Sequence, residues 1–285
     1  MKKLYFTAVI MMALLVPQLS NGQNDPTKLA RVVSTYQIFN FYDNGLIKEI
    51  KRLDGTLEQS FVYDTNNNLT QRDYYINGTA NSNTYGYDSN NRLNLIGDIP
   101  LVYNIDNNSL TYYSPRYNDV PTPDDEDDFL TSIEWRLNDD GCPISRTDHL
   151  RSYLYNDWES YTYGCEFTAG NLNAMYADDG DRRTLWEHVL IQNPLKAAFQ
   201  SVCRATPLFA SVNALAGSFL SADFYSTFLV SNQRYYDEDP ESDEFYYELN
   251  AIGLPVKQYR RFYYFGQYEM TRLEATFYYQ GDTLP

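Results

Sequence analysis

Carboxylates offer the widest chemistry in this chain, with 38 Asp and Glu residues against 22 Lys and Arg. Asp178-Asp179-Gly180-Asp181 sets three acids on a sharp glycine turn. Asp178, Asp179 and Asp181 could gather oxygen ligands for Ca2+, the one cofactor the sequence suggests, which takes about six to eight of them. The later Glu of an EF-hand loop is missing, and a solvated turn is the simpler reading. The run Asp124 to Asp128 poses the same choice. The acids from Asp237 to Glu244 read as a hairpin loop whose charges guard the Tyr-rich strand that follows. Two carboxylates opposed across a cleft could hydrolyse a glycan, but no spacing nominates a pair.

Other reactive residues are sparse. His149 and His188 are the only histidines, far apart and outside any zinc spacing. No Gly-x-Ser-x-Gly elbow and no Gly-rich phosphate loop is present. Trp135, Trp158 and Trp186 are the candidates for stacking on a sugar ring. Asp157-Trp158-Glu159 is a polar stretch between strands and favours exposure of that indole; burial in a thin core is the alternative for each of the three. Of Cys142, Cys165 and Cys203, one pair could bridge in an oxidising compartment. Cys142 in a turn and Cys165 in a Tyr-rich strand are the favoured pair, with three buried thiols as the alternative.

The compartment follows from the first residues. Met1-Lys2-Lys3, an apolar run from Leu4 to Val16 and the small polar Ser20-Asn21-Gly22 have the layout of a secretory signal peptide over 1–22, cleaved before Gln23. The apolar run is too short to span a bilayer comfortably. No Cys follows it, so the expected product is exported and not a lipoprotein: periplasmic, surface-bound or secreted, without a transmembrane segment. Losing Lys2 and Lys3 moves the formal charge from −16 to −18. That much negative charge argues against nucleic acid and anionic lipid as partners.

The elements that must position these residues are strands. Tyr is 28 of 285 residues and alternates, as in Tyr161-Thr-Tyr163-Gly-Cys165-Glu-Phe167, which is a strand period. Strands run repeatedly into Asn-rich turns: Tyr42-Asp43-Asn-Gly-Leu46, Tyr63-Asp64-Thr-Asn-Asn-Asn-Leu69, Tyr87-Asp88-Ser-Asn-Asn-Arg-Leu93 and Tyr103-Asn-Ile-Asp-Asn-Asn-Ser-Leu110. Leu137-Asn-Asp-Asp-Gly141-Cys-Pro143 and Leu249-Asn-Ala-Ile-Gly253-Leu-Pro255 form a second, mutually similar pair. Asn and Asp bond their own backbone and tolerate positive φ, which suits them to such turns. One segment departs from the pattern. Asn193 can cap a helix and Pro194 suits its first turn, with Leu195, Ala198, Phe199 and Val202 on one face. Leu208, Val212, Leu215 and Phe219 hint at a second helix.

The Tyr-Asp-x-Asn-Asn-x-Leu copies resemble the YD (RHS-type) repeats of secreted bacterial proteins. The Leu-Asn-x-x-Gly-x-Pro pair, Gly170-Asn171-Leu172 and Asn193-Pro194 resemble an uncharacterised family of β-repeat proteins of Bacteroidota. The resemblance covers residues 36 to 280 in pieces and implies a hairpin-built sheet in or outside the cell envelope. It supplies no catalytic residue.

The expected fold is therefore mainly β, an antiparallel twisted sheet of repeated β-hairpins in a meander, with a short helical insertion near 193–229. N-terminal hairpins over 23–113 and C-terminal hairpins over 129–285 are joined by an acidic, Pro-containing linker at 114–128, in one continuous sheet. The expected function is a non-catalytic binding or structural module of the envelope that engages glycan or an envelope protein through aromatic strands. A carboxylate-dependent glycan hydrolase and a purely structural spacer are the competing readings. The spacer would present a free sheet edge for a partner strand.

Overall fold

The computed structural model describes residues 25–76, 78–114, 129–139, 141–151, 158–176, 182–205, 224–235, 242–264 and 267–285. The leader over 1–22, the acidic run 124–128, Asp178, Asp179, Asp181 and the second helical segment at 208–219 lie outside them, as does the side chain of Trp158.

Among the described residues, eighteen strands and one helix follow in chain order. The first nine strands are β1 (Leu29–Ser34), β2 (Gln37–Phe41), β3 (Ile47–Arg52), β4 (Leu57–Tyr63), β5 (Leu69–Ile76), β6 (Thr79–Tyr87), β7 (Leu93–Ile96), β8 (Ile99–Asn104) and β9 (Ser109–Tyr113). The next five are β10 (Phe129–Leu137), β11 (Pro143–Arg151), β12 (Trp158–Thr168), β13 (Asn171–Tyr176) and β14 (Arg182–Gln192). Helix α1 (Pro194–Ala205) comes before β15 (Phe228–Tyr235), β16 (Ser242–Leu249), β17 (Pro255–Tyr264) and β18 (Gln267–Tyr279).

Each strand pairs antiparallel with its neighbours in sequence, and β9 pairs with β10, so both sets of hairpins lie in one sheet. The expected open meander is corrected at its ends. β1 pairs with β18, Val32 opposite Phe277, and the sheet closes into an 18-stranded up-and-down barrel. Closure gives both terminal strands a partner for backbone groups that an open meander would leave unpaired.

The apolar face points inward. Phe39, Ile47, Ile50, Phe61, Leu69 and Phe277 are each at most 2% exposed. Helix α1 lies against them as the sequence predicts. Asn193 Oδ1 accepts from the Leu195 N–H at 3.0 Å and caps the helix, and Leu195, Ala198, Phe199 and Val202 are all buried. Ser201 Oγ donates to the Asn67 carbonyl, tying the helix to the β4–β5 turn. Among the described residues, no helix is long and apolar enough to cross a membrane.

The outer face of β1 to β5 carries linked polar side chains, with Val62 exposed among them. Arg31 Nε donates to Asn40 Oδ1 at 2.8 Å, Asn40 Nδ2 to Glu49 Oε1 at 2.9 Å, and Lys51 pairs with Glu49 at 2.7 Å. Ser60 and Gln71 both donate to Asp73 farther round. Over these five strands the polar network differs from the apolar band with which a transmembrane barrel meets lipid. Charged groups also enter the inner wall, at Arg146–Asp148, Arg260–Asp243 and Arg272–Glu274.

Candidate functional site

The repeated turns share one geometry. In the turn after β4, Asp64 Oδ1 accepts from the N–H groups of Asn66 and Asn68 while its carbonyl accepts from Asn67 N. Asn67 has φ +64°. Asp88 plays the same part with Asn90, Arg92 and Asn91, and Asn250 with Ile252, Leu254 and Gly253. Asn138 likewise holds Cys142 N, with Gly141 in the left-handed position at φ +76°. The Tyr-Asp and Leu-Asn motifs are thus one device: an Asx turn whose fourth residue must be Asn or Gly because φ is positive there. Tyrosines bind three of these turns to the hairpin before them. Tyr63 OH donates to the Ile47 carbonyl at 2.9 Å, Tyr87 OH to Leu69 at 2.9 Å and Tyr247 OH to Val230 at 2.7 Å.

All these turns sit at the same end of the barrel, because each follows an even-numbered strand in an up-and-down order. Side-chain amides link them into a rim. Asn44 donates to Asn67 at 3.1 Å, Asn66 and Asn68 both donate to Asn91 at 3.3 Å, and Asn108 donates to the carbonyls of Leu137 and Asn138.

The last turn of α1 reaches this rim and completes a cavity of about 320 Å3. Leu93, Leu110 and Leu137 supply apolar lining, and Asn90, Asn91, Asn108 and Asn138 supply amides. Tyr87, Tyr103, Arg92 and Arg204 add to the polar wall, with Asp139 as its one carboxylate among the described residues. Arg92 is engaged twice, by Asp88 at 2.7 Å and by the Tyr103 ring at 4.3 Å. Hydrogen bonds from the Arg92 backbone and side chain hold the Asp88 carboxyl below its usual range, and the same contact raises Arg92. The cavity therefore offers mainly neutral donors and acceptors over an apolar floor.

The residues singled out in the sequence lie elsewhere. Trp135 and Trp186 are 3% and 5% exposed, and Trp186 Nε1 donates to Gln233 Oε1 at 2.9 Å. Both rings are core, so neither presents a stacking face in this fold. The exposed aromatics are tyrosines. Tyr246 and Tyr268 stand on the outer face of β16 and β18, with Arg261 4.3 Å over the Tyr246 ring. Cys142, Cys165 and Cys203 are in no disulfide, and the thiol that meets Cys142 is that of Cys203, not Cys165. This approach is not visible in the sequence, because it comes from a helix folded back into the barrel. Arg204 and the cavity asparagines carry no catalytic signature in sequence; only the recurrence of the turn marked them.

The two histidines have different surroundings. His149 Nδ1 meets Ser160 Oγ at 2.8 Å across β11 and β12 on the open outer face. Among the described residues, no group bonds the other ring nitrogen, so no triad is assembled. His188 Nε2 meets Ser226 Oγ at 2.9 Å, and burial lowers its pKa from 6.5 to about 4. The unfolded chain then binds a proton first, so His188 contributes stability above pH 6.5 that is lost as pH falls towards 4. Thermal melts from pH 7 to 4 should show this loss, and His188→Gln should flatten that part of the profile; an unchanged profile would contradict it.

No family model matches the chain, and no curated protein matches it in sequence. Among solved structures, a porin-like protein from Bacteroides uniformis is 10% identical over 90% of this chain and 99% of its own, with a TM-score of 0.32. A porin-like protein from Bacteroides vulgatus is 9% identical over 74% of this chain and 97% of its own, with a TM-score of 0.26. A TcdB2-TccC3-TEV structure is 12% identical over 79% of this chain but only 13% of its own, with a TM-score of 0.21. Likeness at this level assigns neither a function nor a membrane location.

Proposed function

We propose that this protein is an exported, non-catalytic binding module that works in water, and that its turn-rim cavity takes a neutral, hydroxyl-rich ligand of the glycan class. The observation that carries the reading is the lining. Four asparagine amides, three of them already partly engaged within the rim, and two tyrosines stand over a leucine floor. Sugars ask for that combination of two-way hydrogen bonding and flat apolar contact. The polar outer face of β1 to β5 supports a water-filled compartment of the envelope or exterior rather than a lipid-facing wall.

The competing readings lose ground on specific features. A glycosidase places two carboxylates across the scissile bond, and among the described residues Asp139 is the one carboxylate that lines the cavity. A spacer that assembles by strand addition needs a free edge, and β1 and β18 are joined to each other.

Titration calorimetry of the exported protein against a polysaccharide and oligosaccharide panel, with and without Ca2+, tests the reading. The Ca2+ arm also probes Asp178, Asp179 and Asp181. Saturable binding without product is expected. Asn90→Ala should weaken it roughly 5- to 10-fold, the worth of one hydrogen bond of about 1–1.5 kcal/mol. Product formation, or binding unchanged in Asn90→Ala, would overturn the assignment.

A further inference from the structure

We propose that Cys142 and Cys203 form a disulfide in the exported protein, fastening the plug helix to the barrel rim, while Cys165 stays a thiol. Cys142 closes the β10–β11 turn, where its N–H donates to Asn138 Oδ1 at 2.9 Å, and it is 6% exposed. Cys203 lies on the last turn of α1 and is 1% exposed. The Cys142 thiol lies close enough to Cys203 to raise it. The flanking residues show the same approach: a Cβ at Gly141 would lie 3.7 Å from Arg204 Nε. The residue before one cysteine thus lies beside the side chain of the residue after the other, and both line the same cavity.

The chemistry fits formation during folding. In the folded core, the hydrogen bond from Cys142 and burial both raise Cys203, and burial raises Cys165. Exchange needs a thiolate and access to it, so the bond forms before the core closes and is shielded afterwards. The oxidant is a disulfide of the exported compartment, on a small molecule or an oxidoreductase. One cysteine thiolate attacks it and expels one thiol as the mixed disulfide forms. The second cysteine then attacks that mixed disulfide and expels the other thiol. Two protons and two electrons leave the pair, and the oxidant ends as two thiols.

The bridge would join positions 142 and 203, 61 residues apart, and with them the Gly141 and Arg204 walls of the cavity. Its formation does not depend on any ligand. The test is a non-reducing peptide map of the full chain after export to an oxidising compartment, with thermal melts in oxidised and reduced glutathione. A peptide pair joining Cys142 to Cys203 is expected, with Cys165 alkylated only after denaturation. The oxidised protein should melt roughly 5–15 °C above the reduced one. Cys165→Ser should keep that difference and Cys203→Ser should abolish it. A bridge through Cys165, or no bridge in the map, would overturn the proposal. The wild-type map and melts decide the matter even if Cys203→Ser fails to fold.

Discussion

Phe199→Ala is expected to destabilise the protein by about 3–5 kcal/mol, the usual cost of removing a fully buried aromatic ring. For a chain of this size that lowers the melting temperature by roughly 6–20 °C. Phe199 is 1% exposed at the centre of the helix face. Its ring sits 6.3 Å from Phe39 and 6.4 Å from Phe41, edge-on to both, and 4.6 Å from Phe224. These contacts come from β2 and from the residues just before β15, so one truncation opens a cavity among three separate parts of the chain. Urea unfolding measures the effect. A loss below about 1 kcal/mol would mean that the helix does not fill the barrel. Because α1 also supplies Arg204 to the rim cavity, ligand affinity should fall together with stability in this variant.

Local structure was legible in the sequence to a greater depth than closure. The positions of Asp64, Asp88, Asn138 and Asn250 already specify the turn, because an Asx side chain and a residue of positive φ three positions later are sufficient to build it. Helix α1 was equally plain from Asn193, Pro194 and the Leu195–Phe199–Val202 stripe. Closure was hidden because alternation tells which face of a strand is buried, but not which strand lies beyond an edge. The β1–β18 pair joins residues some 245 positions apart, such as Val32 and Phe277.

The burial of Trp135 and Trp186 was hard to read for a related reason. Ile133, Trp135 and Leu137 alternate in β10, and that pattern, followed strictly, places Trp135 inside. Trp186 needed Gln233 from the next strand to satisfy its N–H, a partner beyond the reach of local pattern. Cys203 lies four residues after Phe199, on the buried stripe of a helix whose amphipathic face was evident. Its meeting with Cys142 depended on where that helix would turn back.

The second large effect lies in the inner wall, where the fold takes a charge pair out of water. Arg260 Nη2 donates to Asp243 Oδ2 at 2.5 Å, and the two side chains are only 22% and 7% exposed. The guanidinium also lies 4.2 Å over the Phe262 ring, so it is held by apolar surface as well as by the carboxylate. Asp243→Ala leaves that cation buried without its counter-charge, and a loss of about 3–5 kcal/mol is expected. Removing both charges, in Asp243→Leu/Arg260→Met, should recover most of it, since a buried pair contributes little over a well-packed apolar pair. Arg234–Glu187 is the control, a similar pair on the outer face at 58% and 62% exposure; Glu187→Ala there should cost no more than about 1 kcal/mol. Urea unfolding of the three variants separates the cases. If the double variant were as unstable as Asp243→Ala, the loss would come from packing rather than an unpaired charge, and the inner wall would tolerate no apolar replacement at that level of the barrel.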